Sequence, residues 1–155
     1  MNSKRRFSKY TQKRLEEAGW FPGRNVLGGI KFPEDIELFP AAQKIIAEFS
    51  NLQIGKEQSG QTGINIAKSP VWIDPMEAYF EEEFKFARQI IDESIFPIGL
   101  IDFDTSAIGY LYVKKTGAVF CIDDFELFYD QDFDSALKKI LEGIKATPLK
   151  NPNGE

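Results

Sequence analysis

Over residues 7–18, Phe7, Tyr10, Arg14, Leu15 and Ala18 recur at the three- and four-residue intervals of an amphipathic helix with a basic outer face. Ser8 stands where an N-cap belongs and Gly19 where the helix should stop. Trp20-Phe21-Pro22-Gly23-Arg24 breaks the period, and Pro22-Gly23 reads as a turn that returns the aromatic pair to the core. Val26 to Phe32 reads as extended. Pro40 suits the first turn of a second helix, whose stripe of Ile45, Ile46 and Phe49 ends at Ser50-Asn51.

Leu52–Gly55 and Ile64–Ala67 alternate as short strands around a polar loop, Lys56–Gly63. Tyr79, Phe80, Phe84, Ala87 and Ile91 restore helical spacing between Met76 and Asp92. Three β-rich runs follow at 96–103, 108–113 and 118–122, separated by turn residues, and predict an antiparallel meander. Asp132 caps a last helix bearing Ala136, Leu137, Ile140, Leu141 and Ile144, with Gly143 at its stop. Two prolines, two asparagines and a glycine in residues 147–155 read as a disordered tail. The expectation is an α+β class: one domain over residues 1–146, an antiparallel β-meander packed against flanking helices.

Chemistry enters mainly by exclusion. With 155 residues and 43% apolar composition, the chain buries a core without disulfides or metal. It has no histidine and a single Cys121, so no His-dependent nucleophile, zinc helix or finger can be built. Asp130, Asp132 and Asp134 resemble the start of a calcium loop, but Ser135 replaces its glycine and Leu141 its bidentate glutamate. Asp102 and Asp104 at spacing two, or Asp123-Asp124, are the carboxylates an enzyme would use. Two carboxylates at a strand end are, however, more often a solvated edge, and that is the reading preferred for the first pair. Gly28-Gly29 lacks the context of a nucleotide loop, and Cys121 alternates onto an apolar strand face. Neither a metal nor another cofactor is expected.

Net charge is -5, unevenly spread: residues 1–31 carry eight Lys/Arg and two acids, whereas residues 74–134 carry fifteen acids against four cations. Such a chain is a poor binder of nucleic acid and attracts basic partners instead. The opening residues lack the apolar core of an export signal and no window is long and apolar enough for a membrane span, so a cytoplasmic protein is expected.

The order of features resembles a known family. Ala18-Gly19-Trp20 is followed at once by Pro22-Gly23-Arg24; a Phe49-Ser50-Asn51-Leu52 turn closes the second helix; Pro97-Ile98-Gly99 opens the meander; Asp132 to Leu137 precedes a helix that stops at Gly143. This is similar to the SUKH superfamily of bacterial immunity proteins, in particular its third subfamily, over most of residues 7–144. The resemblance implies an α+β inhibitor that binds a protein toxin, frequently a nuclease of a polymorphic toxin system, with no catalysis and no cofactor. It assigns Trp20, Gly23, Arg24, Pro97 and Gly99 to the structural motif.

Three functions compete: the immunity protein, a scaffold or regulatory interaction domain of the same fold, and a carboxylate enzyme. Under the first, the acids expected to meet a cationic toxin are Glu81, Glu82, Asp102, Asp104, Asp123, Asp124 and Glu126. An apolar interface would instead use aromatics such as Phe125, Phe128 and Tyr129.

Overall fold

The structure is a computed structural model and describes residues 6–56, 69–103, 105–123 and 125–149. Local signals set its helices. Helix α1 (Lys9–Ala18) begins where the Ser8 hydroxyl accepts from the Thr11 amide and ends where Gly19 turns left-handed at φ 109°. Helix α2 (Pro40–Phe49) starts on its proline. Asn51 leaves it at φ 69°, a left-handed conformation that asparagine tolerates. Helix α5 (Phe133–Glu142) is capped by Asp132, which accepts from the Ser135 amide, and stopped by Gly143 at φ 75°.

Beside these helices a seven-stranded antiparallel sheet runs as one meander, each strand beside the next in sequence. The strands are β1 (Leu52–Ile54), β2 (Val71–Ile73), β3 (Ile95–Ile101), β4 (Gly109–Lys114), β5 (Val119–Ile122), β6 (Glu126–Asp130) and β7 (Thr147–Pro148). Helices α1, α2 and α5 cover one face. Leu15, Ile46, Phe49 and Leu137 pack there with Ile54, Ile73, Ile98, Leu111, Val113 and Cys121 in one buried cluster. Helix α4 (Glu81–Ile90) lies on the opposite face, where Phe84 and Ala87 join Ile95, Tyr112 and Ile122. The α+β class with an antiparallel meander flanked by helices is what the hydrophobic pattern predicts.

Several elements differ from that pattern. Residues 26–32 do not extend into a strand. Leu27–Gly29 form a single 3₁₀ turn, because the Asn25 side chain accepts from the Leu27 amide at 3.1 Å and Val26 donates to Ala47 of α2 instead of to a strand. The helix expected over 76–92 is divided. Asp74 caps a short helix α3 (Pro75–Ala78), and Tyr79 and Phe80 are then extended before α4 begins. The expected strand at Ile64–Ala67 and most of its preceding loop fall outside the described residues; β1 pairs with β2, a strand the pattern did not mark. β6 was also unmarked, because it does not alternate cleanly between buried and exposed positions. The first residues of the expected disordered tail are ordered, with Thr147 opposite Phe128 and Pro148 opposite Leu127.

Candidate functional site

Directly paired residues of neighbouring strands project from the same face of a sheet. Gln53, Trp72, Leu100, Tyr110, Ile122 and Glu126 are paired in succession across β1 to β6 and therefore form one row on the face turned away from α1, α2 and α5. Helix α4 covers part of this face by setting Phe84 near Tyr112. Among the described residues, the neighbouring part carries aromatic side chains, beside the short helical segment Pro75–Ala78 that packs on β3. Trp72 meets Phe103 with ring centroids 5.7 Å apart, and Phe80 meets Tyr110 at 5.4 Å, both edge-on. Leu100, between Trp72 and Tyr110 in the row, is buried although no helix of the three-helix layer reaches it. Phe80 is 51% exposed and Met76 46%.

The acids singled out by sequence gather around these rings to differing degrees. Glu81 and Glu82 are exposed in the first turn of α4, immediately after Phe80, and Lys85 reaches to 3.8 Å from Glu81. Asp102 follows β3 at φ 52°, held by its amide donating to Pro70 and its carbonyl accepting from both the amide and hydroxyl of Thr105. Asp123 follows β5 and folds its carboxylate onto the Phe125 amide at 2.7 Å, an Asx turn that starts the reversal into β6. Glu126 closes the row, half-buried, opposite Ile122. Asp102 and Asp123 thus leave the strands on either side of β4, at the end where Tyr110 lies. The Cys121 thiol is pushed well up by burial, with the charges of Asp123 and Asp102 adding to the effect. Asp104 and Asp124 lie outside the described residues.

Sequence reasoning missed the rings. Phe80 falls in the helical spacing of a core stripe, yet it is exposed because the chain is extended at that point and delivers its ring onto Tyr110. Trp72 had a usable signal: it stands between Val71 and Ile73, both buried against the helix layer, so it must face the other way. Of the alternative aromatics, Phe125 is 67% exposed, Phe128 is half-buried and Tyr129 is buried.

The motif residues sit elsewhere. Trp20 is buried, edge-on to Phe7 at 5.6 Å, and its indole N–H donates to Glu48. Arg6 grips both oxygens of Glu48 at 2.7 and 2.8 Å and also binds Asp134. Burial alone would raise the Glu48 pKa, but the hydrogen bonds from Arg6 and Trp20 and the charges of Arg6 and Lys44 outweigh it and hold the carboxyl below its usual range. Arg24 donates to the carbonyls of Glu48 and Ser50 at 2.7 and 2.8 Å, satisfying the C-terminal end of α2. Gly23 has φ 85°, which favours glycine. Pro97 and Gly99 flank a register irregularity against β4.

No group of three or more His, Cys, Asp or Glu among the described residues could hold a metal ion. The calcium-like series is engaged internally: Asp130 with Lys139, Asp132 with Ser135, Asp134 with Arg6. Among the described residues, no helix is long and apolar enough to cross a membrane. A family model described as SUKH-3 immunity protein matches residues 7–143. No curated protein and no solved structure matches the chain significantly.

Proposed function

The chain belongs to the SUKH-3 immunity protein family, membership that implies immunity to a toxin, and we propose that it works by stoichiometric capture of a cationic toxin on the acidic, aromatic sheet face. The toxin is read as a nuclease of a polymorphic toxin system, bound in the bacterial cytoplasm, with no chemistry performed by the chain. One observation carries this reading. Residues 69–84, 99–113 and 119–129, which supply most of the face, contain ten acids and no lysine or arginine, with Lys56 after β1 and Lys85 beside Glu81 at its margins.

A nuclease must hold phosphate, and its cationic groups are what an acidic surface attracts and covers. Attraction of this kind acts before contact and is screened by salt, since the Debye length shrinks from about 10 Å at 0.1 M to about 3 Å at 1 M. The test is to co-purify the toxin from the host, identify it by mass spectrometry, and measure association by stopped flow across a salt series. Reversal of the exposed Glu81 and Glu82 and the half-buried Glu126 to lysine is expected to slow association and weaken protection of toxin-expressing cells, with the melting temperature nearly unchanged. An association rate indifferent to salt and to these reversals would overturn electrostatic capture. A co-purified partner without toxicity would favour the scaffold reading.

A further inference from the structure

The aromatic cladding of the sheet face is not explained by attraction of opposite charge, which needs carboxylates and no rings. Trp72, Phe103, Phe80 and Tyr110 form two edge-on pairs, separated by Leu100. Exposed rings of this size usually complete a core or meet a partner. Leu100 beneath them is already buried, Phe80 remains half in solvent, and Trp72, Phe103 and Tyr110 are half-buried, so the rings keep some surface open to solvent. Next to them along the chain or across the strand register lie Asp74, Glu81, Glu82, Asp102 and Asp123, an excess of acids over the nearby cations Lys85, which pairs with Glu81, and Lys56, which lines a pocket with Trp72 and Asp74.

Rings flanked by carboxylates discriminate between cations. A lysine ammonium is a compact, strongly hydrated charge that gains chiefly from the carboxylates. An arginine guanidinium is planar and weakly hydrated, so it can stack on a ring and still donate edgewise to a carboxylate. We propose that Trp72, Phe80, Phe103 and Tyr110 form a platform that seats arginine side chains of the protein partner, making the captured segment arginine-rich and not merely basic. This rests on the proposed function and names the chemistry of the bound surface. A second copy of the chain fits poorly, because two such faces would bring their acids together.

The probes are an oligo-arginine and an oligo-lysine peptide of equal length, titrated into the full chain by calorimetry at fixed salt. The arginine peptide is expected to bind more tightly. Phe80→Ala and Trp72→Leu are each expected to remove about two- to fivefold of that advantage, the range of one exposed cation–ring contact. Phe80 is solvent-exposed, so its variant should fold, and melting curves verify this for both. Phe21→Ala, an exposed ring on the turn after α1, should leave the preference intact. Equal affinity for the two peptides, or an arginine preference that survives both platform variants, would overturn the proposal. So would a dimer in sedimentation that Phe80→Ala converts to monomer, since the face would then belong to a second copy. The two readings fail separately. If Phe80→Ala abolishes the arginine preference but protects fully against the identified toxin, the platform is not the toxin's seat while immunity stands. If wild type gives no protection, the proposed function falls whatever the peptides do.

Discussion

The indole N–H of Trp20 donates to Oε2 of Glu48 across 2.8 Å, on a carboxylate that Arg6 already grips through both oxygens. A residue just past α1 is thereby fastened to the last turn of α2, and the ring fills the space beside Phe7. Trp20→Ala would remove a buried ring and one donor to a partly buried carboxylate. The expected loss is about 3–5 kcal/mol, read by chemical denaturation, with Trp20→Phe falling between wild type and alanine because it restores the ring alone. A fully stable Trp20→Ala variant that fails only in partner binding would refute a structural role.

Arg24 spans two carbonyls that α2 leaves without helical partners, Glu48 and Ser50. Arg24→Ala is expected to cost about 1–3 kcal/mol. Arg24→Lys should recover only part of this, since one ammonium lacks the rigid fork that reaches both oxygens. Thermal melts of the two variants decide the order.

Stability should fall in acid. Glu48 is depressed by the balance described above, and Asp130 is also depressed, chiefly by the Gln131 amide, against opposing burial and with help from Lys139. A carboxyl whose folded pKa lies below its unfolded value contributes stability that is complete above the unfolded value and lost as pH falls through the folded one. Urea midpoints should therefore hold steady from neutrality to about pH 5 and drop below about pH 4. In Glu48→Gln the drop should be shallower, and an identical drop would remove Glu48 from the account.

At Gly99 a Cβ would stand 2.4 Å from the Trp72 carbonyl oxygen and 3.1 Å from the Ile73 Cα. Both obstacles are backbone of the adjacent strand and cannot swing aside. Gly99→Ala should thus force β2 from β3 and destabilise by about 3 kcal/mol. It should also disturb Trp72, so amide exchange in β2 ought to accelerate more than in β5. Unchanged exchange in β2 would contradict this placement.

Local signals in the chain set the ends of α1, α2 and α5 and the central strands, but not the break between α3 and α4. Ser8 and Gly19 for α1, Pro40 for α2, and Asp132 and Gly143 for α5 act on amides and carbonyls within a turn of themselves, so their effect is local and readable from neighbours. The β3–β5 runs were legible for the same reason, as continuous apolar stretches bounded by turn residues. Tertiary structure alone decided the rest. β2, β6 and β7 become strands because a neighbouring strand offers its unpaired amides and carbonyls, a condition that no window of their own residues records. The candidate site is of the same kind. Its acids were visible as a local excess of charge, but Trp72, Leu100, Tyr110 and Glu126 share a row only through strand register, and Phe80 reaches them only because the chain straightens between α3 and α4.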